Sequence, residues 1–200
     1  MDRFQIRQAC SKIIGGEKVV AKIVTISGKA RHGKDTFASY MADHIYEEYG
    51  LKAQIIHYAD AVKEKAREIG WDGEKDRNGR ALLQFVGTEW GRQQIDKDIW
   101  IMKAEQKIHD NTDIVIFPDT RFINEITYWI MSGYRVTPIQ VVRLDEEGSE
   151  WDNGMEDKLK QHSSENSVDN YPFYHTVRHE TLEHLRNQAF IIANGLIQNV

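Results

Sequence analysis

A chain of 200 residues, 40% hydrophobic and 28% charged, has material for one ordinary core and is too apolar to remain disordered. Its net charge of −5 lacks the basic footprint of a protein that grips a nucleic acid backbone, and its apolar runs are too short to span a bilayer. A single cysteine, Cys10, excludes an internal disulfide and a cysteine metal cluster, which fits a reducing cytoplasm.

Residues 1–17 are expected to form a short amphipathic helix that stops at Gly15-Gly16. The opening MDRFQIRQACSK lacks a secretory apolar core. Val19 to Ser27 is apolar and β-branched and reads as a buried strand. Asp35 to Tyr49 reads as a helix closed by Gly50. Gln54 to Tyr58 is a second strand, and Ala61 to Ile69 a helix ended by Gly70. Residues 71–79 are loop-like; helices follow from Arg80 to about Trp90 and from Ile99 to His109. Asp113 to Phe117 is a compact strand, Phe122 to Met131 a helix, and Val136 to Leu144 another strand. Residues 145–170 are polar and acidic and read as a lid. His175 to Val177 is a last strand and Thr181 to Gln198 a last helix.

Strands alternating with helices predict an α/β fold: a mostly parallel sheet flanked by helices on both faces. Ligands of such sheets bind at the carboxyl ends of the strands. The places to search are the residues after Ser27, Tyr58, Phe117 and Leu144.

After the first buried strand stands Gly28-Lys29-Ala30-Arg31-His32-Gly33-Lys34-Asp35-Thr36. The spacing G-x-x-x-x-G-K is that of a P-loop, set between a strand and a helix as that loop requires. Backbone N–H groups of such a loop line an anion site at a helix start, and Lys34 adds a mobile positive charge. Gly28, Ala30, Arg31, His32, Gly33, Lys34, Asp35 and Thr36 are the expected ATP-binding residues. Asp35 departs from the usual Ser or Thr at its position. It either ligates magnesium, leaves that task to Thr36, or favours the positive end of the helix. The strand Asp113 to Phe117 is followed by Pro118-Asp119-Thr120-Arg121. Asp119 suits magnesium and Arg121 a phosphate, or else Asp119 caps the next helix. Glu125 either orients Arg121 or is a solvated helix charge.

The set GKARHGKDT, GRALLQFVGTEWGR, PDTRFINE, VVRL and HSSE resembles the bacteriophage deoxynucleoside monophosphate kinases, P-loop kinases of the adenylate kinase-like group. The resemblance implies transfer of a phosphoryl group from ATP, with Mg2+, to a deoxynucleoside monophosphate. It implies one P-loop kinase domain over 1–200, with an extension at 1–17, an acceptor-binding region at about 60–100 and the lid. It makes Lys34, Arg121 and Arg143 catalytic, and Asp35 and Asp119 the metal ligands. It puts Asp60, Lys63, Arg80, Gln84, Asp119 and Arg121 on the acceptor. His162-Ser163-Ser164-Glu165 matches the family's lid segment, and His179 stands where related chains often carry Asn beside the base. The expected partners are ATP and a deoxynucleoside monophosphate, with a homodimer left open and neither a nucleic acid polymer nor a membrane involved. The expected place is the cytoplasm, that of the host for a phage-encoded protein. The rival readings are a kinase of phosphomevalonate or dephospho-coenzyme A type and a non-catalytic nucleotide-binding module.

Overall fold

Lys22–Ser27 (β3) carries apolar residues on both sides of its pleat, so it is buried on both faces, with Ile23, Val24 and Ile26 at 0% exposure. The computed structural model describes residues 11–14, 17–20, 22–152, 154 and 167–198. Their elements in chain order begin with strands Ser11–Ile14 (β1), Glu17–Val20 (β2) and β3, then helix Lys34–Tyr49 (α1) and strand Ala53–Ile55 (β4). Helices Tyr58–Glu68 (α2) and Arg77–Gln84 (α3), a π-helical segment Phe85–Ile95 and helix Ile99–Glu105 (α4) come next. Strand Ile114–Phe117 (β5), helix Asn124–Met131 (α5), strands Arg135–Arg143 (β6) and His175–His179 (β7) and helix Leu182–Gln198 (α6) complete the chain.

Two compact units emerge: Met1–Ile55 with His109–Val200, and Ile56–Ile108. The first holds a five-stranded sheet in the order β4-β5-β3-β6-β7, parallel throughout. One face, through Val24, Ile26, Ile116, Ile139 and Val141, packs on Phe37, Met41 and Ile45 of α1 and on Leu185, Ala189 and Ile192 of α6. On the β5 residue that faces oppositely, Phe117, Trp129 of α5 stacks at 5.1 Å and is fully buried. Each fully buried Ile or Phe of this core contributes about 1.5–3 kcal/mol. The expected α/β fold is what the structure has.

Several boundaries differ from the sequence reading. Of the helix expected over 1–17, residues 1–10 lie outside the described residues, and Ser11–Ile14 is instead a strand that pairs antiparallel with Glu17–Val20. The strand expected from Val19 to Ser27 is therefore two, β2 and β3. The strand expected to reach Tyr58 ends at Ile55, and Tyr58 opens α2 instead. The helix expected at Arg80 begins three residues earlier, because the Asp76 side chain accepts from Gly79 N at 2.7 Å and caps it. The helix that follows widens into the π-helical segment: Gly91, where a Cβ would stand 2.5 Å from the Trp100 ring, lets that ring pack on the backbone. Trp100 Nε1 also donates to Gly87 O at 2.7 Å, so this tryptophan is part of the unit's packing. Among the described residues no helix is long and apolar enough to cross a membrane.

Candidate active site

β3 delivers the chain to Gly28, whose φ of 141° and close approach to β6 admit no side chain: a Cβ there would lie 2.2 Å from Val141 O. The loop then turns through Arg31 at φ 65° and Gly33 at φ 86° and enters α1, with Phe37 N donating to Gly33 O at 2.8 Å. Helix α1 thus presents its N-terminus at the carboxyl end of β3, with Asp35 exposed in its first turn. The arrangement of the N-terminus and its positive-φ loop suits an anion.

Lys34 is buried, at 8% exposure, and Nζ donates to Lys29 O at 2.8 Å. Burial and the charge of Arg121 lower its pKa from 10.5 to about 8, against the opposing pull of Asp35 and Asp119. The loop after β5 is drawn to β3 by Thr120, whose N–H donates to Ile26 O at 3.2 Å. Burial pulls the Arg121 pKa below its ordinary value, while Asp119 and Glu125 hold it up. Lys34, Asp35, Asp119 and Arg121 therefore form one electrostatic group at the ends of adjacent strands. Glu125 caps: Oε2 accepts from Arg121 N at 2.6 Å and from Phe122 N at 3.0 Å. It holds the backbone that carries Arg121, in keeping with the orienting role, and at 1% exposure it is not a solvated helix charge.

The end of β6 closes the other side. Asp145 builds a tight turn, with Oδ1 accepting from Glu147 N and Ser149 N, and Trp151 N donates back to Arg143 O at 2.9 Å. The Arg143 guanidinium lies over the Trp151 ring at 4.4 Å. Lys29 of the loop pairs with Glu150 at 2.9 Å. A cleft of about 240 Å³ opens among Gly28, Lys29, His32, Arg121, Glu150 and Asp169. It is smaller than a whole-ligand pocket of about 300–1,000 Å³ and is sized for the phosphate end of a ligand. Partial burial and Glu150 raise the Asp169 pKa above the usual carboxylate range, with Lys29 opposing.

His179 is a residue whose role the sequence did not reveal. It is 3% exposed, and Nε2 donates to the carbonyl of His32 at 2.9 Å, so β7 supports the phosphate loop from below. Its Nδ1 is buried with no hydrogen-bond partner among the described residues. The segment His162 to Glu165 lies outside the described residues.

The second unit carries the other expected residues. Asp60 takes a 2.8 Å hydrogen bond from Lys63. Burial pushes the Asp60 carboxyl up, but Lys63, His57 and Lys107 together hold it below its ordinary pKa. Arg80 is exposed and donates from Nε to Lys75 O at 2.8 Å. Gln84 is half-buried at the end of α3. Glu89, in the π-helical segment, has a buried Oε2 without a hydrogen-bond partner among the described residues, and no sequence pattern drew notice to it.

A parallel sheet with a glycine-turned phosphate loop between its first buried strand and helix defines the P-loop fold of the nucleotide-hydrolase and kinase class. No protein-family model matches the chain. Its sequence is similar to the deoxynucleoside-5'-monophosphate kinase of Escherichia phage T5, 47% identical over 47 residues, which are 23% of this chain and 19% of that enzyme. The match thus spans about a fifth of the curated relative's length. Its structure is similar to a candidate kinase from Chloroflexus aurantiacus, with a TM-score of 0.50, 11% identity and coverage of 90% of this chain and 98% of that one. It is also similar, at a TM-score of 0.46 and 12% identity, to the APS kinase CysC of Mycobacterium tuberculosis, over 88% of this chain and 97% of that one.

Proposed function

We propose that the chain is an ATP-dependent kinase of deoxynucleoside monophosphates. The observation that carries this is the group Lys34, Asp35, Asp119 and Arg121: two cations and two carboxylates gathered where a P-loop fold receives phosphates. The short but strong likeness to a phage enzyme of that activity directs the choice of acceptor. The loop backbone and Lys34 hold the donor phosphates; Arg121 and Arg143 stabilise charge on the group in transfer. Asp60, Lys63, Arg80 and Gln84 serve the acceptor.

The acceptor oxygen is already anionic near neutral pH, so the protein contributes alignment and charge more than proton transfer. The phosphoryl group leaves the donor's bridging oxygen, which departs with ADP, and joins an oxygen of the monophosphate. Asp35 and Asp119, with Thr36, offer the hard oxygens that magnesium takes; the ion would neutralise donor phosphate charge. Among the described residues no cluster of three acidic or histidine side chains is gathered for a metal, so the protein would supply one or two of the ion's oxygens and phosphate and water the rest.

Product analysis tests the reading. Incubation with ATP, magnesium and the deoxynucleoside monophosphates in turn should, for at least one of them, give diphosphate and ADP in equal amounts. Turnover confined to phosphomevalonate or dephospho-coenzyme A would make the chain another small-molecule kinase. ATP binding without turnover on any acceptor would make it a nucleotide-binding module.

A further inference from the structure

His32 belongs to the phosphate loop and is 1% exposed, yet both of its ring nitrogens serve another element. Arg143 N lies 3.3 Å from Nδ1 and, being an N–H donor, fixes Nδ1 as the acceptor. Nε2 then carries the proton and donates to Trp151 O, also at 3.3 Å. Burial lowers the pKa of this ring, which agrees with the neutral form; the Trp151 carbonyl and Glu150 oppose, and Lys34 and Lys29 assist. One imidazole therefore staples both arms of the turn that Asp145 builds. That turn carries the Arg143 guanidinium stacked on Trp151, and Glu150 paired to Lys29.

We propose that His32 is a positioning residue that couples the filling of the phosphate loop to Arg143 and Trp151. The inference rests on the loop binding a nucleoside triphosphate. A phosphate in the loop competes with the Glu150 carboxylate for Lys29, so the empty and filled states differ in what holds the turn. With the ion pair released, the bonds from His32 to Arg143 N and Trp151 O remain to carry the loop's state to the turn. A coupling of this kind needs contiguous contacts and two arrangements; the Lys29–Glu150 pair is the arrangement seen, and its release by a phosphate would be the second. Donor binding would thereby free the Arg143 guanidinium from the Trp151 ring before the acceptor reacts.

The test uses tryptophan fluorescence of the full chain. The Trp151 contribution is the difference between the parent and the Trp151→Phe protein, each titrated with ATP and magnesium, with ATP affinity measured in parallel by calorimetry. The parent should show a Trp151-dependent change that saturates with ATP. His32→Phe fills the volume without the nitrogens; with each protein saturated with ATP, as calorimetry establishes, it should lose most of that change, about fivefold or more. His32→Asn keeps an acceptor for Arg143 N and should recover part of the change. His32→Leu carries the same test where circular dichroism shows His32→Phe unfolded. Parental amplitude in the folded His32→Phe or His32→Leu protein would overturn the inference. So would ATP binding by the parent with no Trp151-dependent change. Absence of ATP binding in the parent would overturn the proposed function, and this inference with it.

Discussion

Lys34 turns its ammonium onto the carbonyl oxygen of Lys29, 2.8 Å away, so the loop's own backbone occupies the charge that the proposed function assigns to a phosphate. Burial and Arg121 bring its pKa down to about 8 from 10.5. Between those values the unfolded chain keeps a proton that the folded chain has released. Stability therefore rises with pH across that window, and the cost of the buried charge is carried in full below it.

Phosphate binding runs the other way, since it needs the ammonium. ATP affinity should be level below pH 8 and fall above it, by up to about tenfold per pH unit. Lys34→Arg, which stays charged, should flatten that fall, and Lys34→Ala should abolish turnover with the fold retained. Calorimetric titration with ATP across this range measures it. An affinity that stays level to pH 10 would remove Lys34 from the donor phosphates.

Gly28 permits the loop to pass so close to β6 that a Cβ would lie 2.2 Å from Val141 O, at a φ that side chains avoid. Gly28→Ala should cost about 1–3 kcal/mol of stability and weaken ATP binding as the loop is pushed off β6. Urea unfolding and ATP titration read the two effects. Parental values for both would show that the loop has slack that the geometry denies.

Asp35 is exposed in the first turn of α1. As a magnesium ligand, its loss in Asp35→Ala or Asp35→Asn should raise the magnesium requirement and lower kcat, and Asp35→Ser should recover part of the activity. As a helix-start charge, its loss would cost about 0.3–1 kcal/mol of stability and leave the metal dependence alone. Activity against magnesium concentration decides. A curve for Asp35→Asn that overlays the parent would leave Thr36 and Asp119 as the candidates.

Among the described residues Arg80 bonds through its Nε to Lys75 O, in an exposed position. If it binds the monophosphate, Arg80→Ala should raise the acceptor KM by tenfold or more, about 1.4 kcal/mol, and leave the ATP KM within about twofold. Initial rates with each substrate varied in turn supply both constants. Equal changes in the two would assign Arg80 to the surface of its unit.

The sheet and the loop were legible because their signals are local. Ile23 to Ile26 is β-branched and apolar, Gly28 and Gly33 stand at a fixed spacing, and Lys34 opens a helix. The strand pair at Ser11–Val20 carried a signal too, since Gly15-Gly16 between two short runs is a hairpin sequence; its apolar spacing also suits a helix, and that pattern misled. The π-helical segment was not legible, because it depends on Trp100 reaching Gly87 and Gly91 from the next helix. Nor was the role of His179, whose partner, the carbonyl of His32, is 147 positions away in the chain. Glu125 was noticed, but its caps on Arg121 N and Phe122 N arise from the way the chain enters α5.

The central claim is phosphoryl transfer to a deoxynucleoside monophosphate, and the measurement closest to it is acceptor-dependent ADP release. Parent and Lys34→Ala proteins are assayed with ATP and magnesium, with and without each deoxynucleoside monophosphate. At least one of these acceptors should raise ADP release by the parent far above its acceptor-free rate, with a matching deoxynucleoside diphosphate formed, while the Lys34→Ala protein stays at background. ADP release by the parent that no deoxynucleoside monophosphate increases would contradict the claim.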